Sequence, residues 1–245
     1  MGERGRGPDG NMWDLLQYGD QGYGDELVRG ALYTLILAAA SAVVGVAIGL
    51  GLALAKLSQS RGTRLLAFGF TAIFRGVPEL LIMLVVYFGV GIAITRIVAL
   101  LGYASRVEVD KFAAAAFALG LVFGAFASEV FRGAFLAVPK GQIEAGLACG
   151  MRRTQVFLRI RMPQMWRFAL PGLGNLWMIL LKDTSLAAII TYDELTREAR
   201  IAAENSGEAF LLYGAAGVIY LVFTALSTGA IGRLERRADK GVRRA

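Results

Sequence analysis

Several ionisable side chains sit in or beside long apolar runs, where each costs a few kcal/mol unless paired or wetted. Glu129 and Arg132 are three residues apart and share one helix face. Either they pair with each other, or Glu129 faces a pathway and meets a cationic solute. Arg75 and Glu79 are four apart with Pro78 between them. They frame a gate or anchor the start of an apolar segment. Lys182 and Asp183 are adjacent, so on a helix they point in different directions and need separate partners. This is the chemistry of charge recognition, not of bond making. The sequence has no histidine, which removes the commonest metal ligand and proton relay. Gly-x-x-x-x-Gly-Lys-Ser/Thr, His-Glu-x-x-His, Cys-x-x-Cys and Gly-x-Ser-x-Gly are absent. The single cysteine, Cys149, excludes an internal disulfide. No catalytic residue and no metal site is expected. Any energy comes from a partner or an ion gradient.

The elements that carry these charges are membrane helices. Apolar residues make up 56% of the chain. About 20 apolar residues cross a bilayer, and five runs qualify or nearly so: 31–57, 78–101, 112–138, 167–190 and 210–232. Residues 65–74 are apolar but too short to span. They form an interfacial lead-in or the first half of a bent second helix. The spacing predicts an all-α polytopic protein with about five spans. Gly45 with Gly49, and Gly120 with Gly124, have Gly-x-x-x-Gly spacing. That spacing either lets neighbouring helices approach or reflects the small residues common in membrane helices. Trp13, Trp166 and Trp177 are expected at interfaces or between helices. No internal repeat is visible, which argues against the inverted repeats of secondary transporters.

The net charge of +7 is segregated rather than spread over a nucleic-acid-binding face. Residues 56–64, 139–167 and 233–245 are basic, whereas 1–30 and 191–208 are net acidic. With five spans, the three basic segments fall on one side, and the positive-inside rule makes it cytoplasmic. The N-terminus is then outside and the C-terminus inside. Residues 1–25 read as a flexible, glycine-rich extracytoplasmic tail, 26–234 as the membrane domain, and 235–245 as a basic cytoplasmic tail.

The loop 139–165 is polar and lies between apolar runs. It opens with small residues (Ala145, Gly146, Ala148, Gly150), continues with Arg152, Arg153, Arg159 and Arg161, and reaches Pro163, which is expected to stop the helix. Residues 142–161 suit one or two short helices. Glu144, Ala145, Gly150, Ile160 and Pro163 fall on the pattern Glu-Ala-Ala, three residues, Gly, nine residues, Ile-x-Leu-Pro, with Gly146 and Met162 as departures. This resembles the coupling loop of bacterial ABC importer permeases. Arg75-Gly76-Val77-Pro78-Glu79-Leu80, Ser128–Gly133 leading into Val138–Gln142, Leu170–Asn175 and Lys182–Leu186 are similar to segments of the polar amino-acid permeases. The similarity covers roughly residues 25–240 and is strongest to the histidine, arginine and opine subgroup.

The resemblance implies a type I importer transmembrane domain with a cytoplasmic coupling helix, moving polar, basic or opine-like substrates by alternating access. It implies two partner ATPase subunits that bind the ATP and magnesium, a second permease subunit, identical or homologous, and a soluble extracytoplasmic binding protein. Lipid is the remaining partner, and no cofactor is expected in this chain. Glu144, Ala145, Gly146, Gly150, Ile160 and Pro163 would contact the ATPase. Family members that import basic amino acids place two acids at the substrate, in Gly-Asn-Glu and Lys-Asp-Thr-Ser. Asp183 keeps the second, while Leu176 replaces the first. Asp183 is therefore a candidate substrate contact, or else an internal pair or gate element. Glu129, Asn175 and Ser185 are further candidate contacts, and Arg75, Glu79, Arg132 and Lys182 are gate or structural candidates. Two other readings are an ion-gradient transporter using Glu129 or Asp183 and a non-transporting scaffold.

Overall fold

The first apolar run folds as one helix, α1 (Gly24–Lys56), of 33 residues. At 1.5 Å per residue it is about 50 Å long. Asp25 and Glu26 lie in its first turn and Lys56 in its last, each on the favourable end of the helix dipole. The computed structural model describes residues 12–19, 22–100 and 109–239. The glycine-rich stretch 1–11 and the terminal basic stretch 240–245 lie outside the described residues. After α1 come α2 (Arg61–Gly76), α3 (Glu79–Leu100), α4 (Lys111–Ala137), α5 (Lys140–Ala148), α6 (Arg153–Val156), α7 (Met162–Asp183), α8 (Leu195–Ser206) and α9 (Ala209–Ala238). No strand occurs among the described residues. Among the described residues, five helical stretches are long and apolar enough to cross a membrane: Gly24–Lys56, Glu79–Arg96, Lys111–Ala137, Arg153–Ile190 and Ala209–Ala238.

Two proline positions decide how the helices break. Val77 is extended and Pro78 follows it, so α2 ends and α3 starts afresh. The apolar 65–74 stretch thus belongs to a separate helix, capped at its start by the Ser60 side chain. Pro163 behaves otherwise. The expectation that it stops a helix is overturned, because it lies in the first turn of α7. The five residues before α7, Phe157–Arg161, form a π-turn, and the Met162 N–H donates to the Phe157 carbonyl. The hydrogen-bond register is shifting at this point, so a residue without an N–H is tolerated. The fourth apolar stretch therefore runs helically from Arg153 to Asp183 and on into a 3₁₀ segment, Thr184–Ile190.

The chain divides into two units. One comprises residues 1–41, 78–119 and 179–225. Its buried centre joins Leu15, Tyr23, Leu27 and Ala31 to Leu195, Ala199, Leu212 and Ala216. A fully buried carboxylate, Glu194, organises the α8 start. It caps α8 by accepting from the Thr196 N–H at 2.9 Å and the Arg197 N–H at 2.8 Å. The Tyr220 hydroxyl donates to it at 3.2 Å, and the Leu195 N–H donates to the Thr34 hydroxyl at 3.1 Å. Burial pushes the Glu194 carboxyl above the usual range, against the opposing effect of those donors.

The other unit comprises residues 42–77, 120–178 and 226–245. Here the two Gly-x-x-x-Gly pairs meet. A Cβ on Gly45 would lie 3.0 Å from the Gly120 carbonyl oxygen, and one on Gly49 would lie 3.0 Å from that of Gly124. The glycines let α1 and α4 touch backbone to backbone. The aromatic side chains pack as expected: Trp166 meets Phe131 edge to face at 5.3 Å. The Trp177 Nε1–H donates to the Ser227 hydroxyl at 3.0 Å, whereas Trp13 is exposed.

Candidate functional site

The 139–165 loop has a defined fold. Pro139 stands at the N-cap of α5, just past the end of α4. At the other end of α5, Gly150 takes φ +80°, the left-handed conformation that glycine adopts without a Cβ penalty. The Met151 N–H donates to the Gly146 carbonyl at 3.1 Å and the Gly150 N–H to the Leu147 carbonyl at 2.9 Å. This is a Schellman stop, and it explains why glycine occupies position 150. The chain then turns back through Arg152, whose N–H donates to the Gln155 side chain at 2.8 Å.

The turn packs α5 against the π-turn. Gly146 is buried, while Glu144, Ala145, Leu147 and Ala148 are exposed. A Cβ on Gly146 would lie 2.6 Å from Ile160 Cδ1 and 3.2 Å from Val156 Cγ2. The two positions are thus one contact. Gly146, read from sequence as a departure from alanine, supplies the space that Ile160 fills. The Gln164 amide donates to the Gln142 side chain at 2.6 Å, closing the loop base. Phe157 stacks on Phe135 at 6.0 Å and Arg161 lies over the same Phe135 ring. A groove of about 530 Å³ opens along Ala145, Gly146, Cys149, Met151 and Ile160. The loop is a compact helical turn whose exposed face carries Glu144, Ala145, Leu147 and Ala148 beside an open groove. It suits a protein partner rather than a small reactive molecule.

The charged residues fall into two groups. In the second unit, Lys56 Nζ is wholly buried and lies 2.7 Å from Glu129 Oε1 and 2.8 Å from Ser128 Oγ. Arg132 Nε lies 2.9 Å from Glu129 Oε2. The expected Glu129–Arg132 pair is present, and Lys56 joins it. Sequence reading used Lys56 only as a marker of the basic side. A lone lysine ending an apolar run was the available signal. Arg75 packs over the Phe126 ring at 5.1 Å in the same unit.

In the first unit, Asp183 is the last residue of α7, next to Lys182. Glu79 opens α3, and α3 packs on the 3₁₀ segment that follows Asp183. Two acidic residues thus stand at the ends of helices joined through this packing, an arrangement that spacing along the sequence did not predict. The Ser185 hydroxyl donates to the Lys182 carbonyl at 2.7 Å, leaving its lone pairs free. Asn175 is exposed on α7. Among the described residues no cluster of three or more potential metal ligands occurs.

Residues 45–240 match the family described as binding-protein-dependent transport system inner membrane component. The chain belongs to that family. It is 43% identical over 224 residues to the histidine/lysine/arginine/ornithine transport system permease protein HisQ of Escherichia coli, covering 91% of this chain and 98% of the relative. Identity to the nopaline transport system permease protein NocQ of Agrobacterium fabrum is also 43%, over 94% of this chain and 98% of that one. The arginine ABC transporter permease protein ArtQ of Haemophilus influenzae is 39% identical, over 87% and 95%. Among solved structures, an amino acid ABC transporter crystallised with histidines superposes with TM-score 0.74 at 29% identity, covering 88% of this chain and 95% of that one. The MetNI methionine ABC transporter, at 18% identity and TM-score 0.69 over 87% and 96%, shares the fold. This family member is a multi-pass inner-membrane permease subunit of an ABC importer. It works with a substrate-binding protein, and ATP hydrolysis belongs to a separate subunit.

Proposed function

We propose that the chain moves basic amino acids or related opines across the inner membrane by alternating access, paired with a second permease subunit and driven by two ATPase subunits. The permease domain is residues 26–234. The loop 139–165 lies on the cytoplasmic side and carries the ATPase contact through Glu144, Ala145, Gly146, Gly150, Ile160 and Pro163. The N-terminus is outside and the C-terminus inside, as the segregated basic segments require. ATPase closure rocks the α5 lever, and its packing through Ile160 and Phe157 passes the motion to α7 and α4.

The observation that carries the substrate class is that Asp183 ends α7 and Glu79 opens α3, the helix that packs on the 3₁₀ segment after Asp183. Two carboxylates near a helix break favour a cation and reject an anion. Glu79 offers within this chain the second acid that Leu176 does not provide. The relatives named for histidine, lysine, arginine, ornithine, nopaline and octopine support the same class. In proteoliposomes holding the complete importer, Asp183→Asn and Glu79→Gln should lower uptake of lysine or arginine more than uptake of any neutral amino acid the system accepts. Equal losses would assign both residues to gating or folding.

A further inference from the structure

We propose that Arg75 receives the carboxylate of the transported molecule in the groove between α2 and α4, an assignment that rests on the amino-acid reading above. The groove holds about 410 Å³, within the size range of small-molecule sites. Phe68 and Phe126 wall it, Thr71 lines it, and its ionisable lining residues are Arg75 and Glu129. Both oxygens of Glu129 are engaged, Oε1 by Lys56 and Oε2 by Arg132. Glu129 therefore does not neutralise Arg75, whose guanidinium lies over Phe126 and forms no ion pair among the described residues. Lys56, Arg132 and Arg75 against Glu129 leave an excess of positive charge around the groove. A guanidinium presents parallel N–H donors that match a carboxylate in bidentate geometry. Gly76 adds no side chain, and nothing lies within 4 Å of where its Cβ would be. The groove thus has room, apolar walls for an aliphatic chain and an exposed guanidinium with no ion pair among the described residues. A phosphate, as carried by a lipid headgroup, has matching chemistry and is separated by the test.

The test is calorimetry on the permease–ATPase complex in phosphatidylcholine nanodiscs, titrated with arginine and with its decarboxylated amine. Arg75→Gln should weaken arginine binding by about tenfold or more and leave binding of the amine unchanged. Arg75→Lys, which keeps the charge, should recover part of the loss. A folding defect would reduce both ligands alike, so parallel losses overturn the assignment. It is also overturned by no loss at all, or by a wild-type complex that does not bind arginine. If phosphatidylglycerol in the nanodisc abolishes arginine binding to the wild type, the groove is a lipid-phosphate site and the proposal fails. Uptake of basic amino acids by the complete wild-type importer is measured in parallel. Absence of that uptake sinks the amino-acid reading itself, whereas normal uptake with unchanged arginine binding in Arg75→Gln sinks only the Arg75 assignment.

Discussion

Lys56 and Glu129 form an ion pair of 2.7 Å in which the lysine side chain has no exposure to solvent. The pair joins the end of α1 to the middle of α4, and Phe68 of α2 lies 5.2 Å below the ammonium. Three helices therefore meet at one charge. The cost of burying that charge is offset by Glu129 and the Ser128 hydroxyl together, so removal of either charged partner strands the other.

Lys56→Met should accordingly destabilise the protein by about 3 kcal/mol, the lower end expected for breaking a buried pair because Glu129 is partly exposed. Glu129→Leu should cost a comparable amount. Combining Lys56→Met with Glu129→Leu should recover much of the loss. Thermal melting of the purified protein in detergent, as a double-mutant cycle, checks this. Strictly additive losses would show that the two side chains are not coupled.

The loop predicts two distinguishable glycine effects. Gly150→Ala places a Cβ at φ +80° and should cost about 1–2 kcal/mol of local stability by strain alone. Gly146→Leu drives a side chain into Ile160 and should lift α5 from the π-turn. ATPase copurification should fall in both variants, and more in Gly146→Leu. Adding Ile160→Ala to a Gly146→Ala variant should restore part of the binding, because it reopens the occupied space. No recovery would mean that the two positions do not form one contact.

Glu194 gives a pH dependence with a definite sign. Its folded carboxyl titrates above its unfolded value, so the folded state binds more protons in the window above the ordinary glutamate range. This residue's contribution to stability is therefore highest at acid pH and declines as pH rises from about 4.5 through the folded value. Glu194→Gln should flatten that decline. Glu194→Ala also loses the α8 cap and should cost about 0.5–2 kcal/mol at every pH. Melting temperatures of the three proteins between mildly acidic and neutral pH check the slope. An unchanged slope in Glu194→Gln would remove Glu194 as its source.

Much of this molecule was legible in its residues. The five apolar stretches were visible because span length and hydropathy are local properties. Pro78 marked the place where the chain departs from a single helix, and the structure makes it a full break between α2 and α3. The α5 loop was recognisable because Gly150 and Ile160 serve a turn and a contact with fixed spacing. Pro163 misled, since the rule that proline ends helices takes no account of a π-turn shifting the hydrogen-bond register beforehand. The Lys56–Glu129 and Glu79–Asp183 relationships were hidden for a different reason. Each joins residues on separate helices, and periodicity within one helix carries no information about the neighbour it packs against. Glu194 was unread because a buried acid in an acidic connecting segment looks like its exposed neighbours.

The central claim is that the exposed α5 lever meets the ATPase on the cytoplasmic side. Cys149 is the chain's single cysteine and stands exposed at the lever's end. The decisive measurement is therefore thiol labelling and cross-linking at Cys149 in the assembled importer. A membrane-impermeant maleimide should label it in inside-out vesicles and not in intact spheroplasts. A short thiol-to-amine cross-linker should capture the ATPase subunit, with a yield that changes with nucleotide. Labelling from the outside, or capture of the substrate-binding protein instead of the ATPase, would contradict the account.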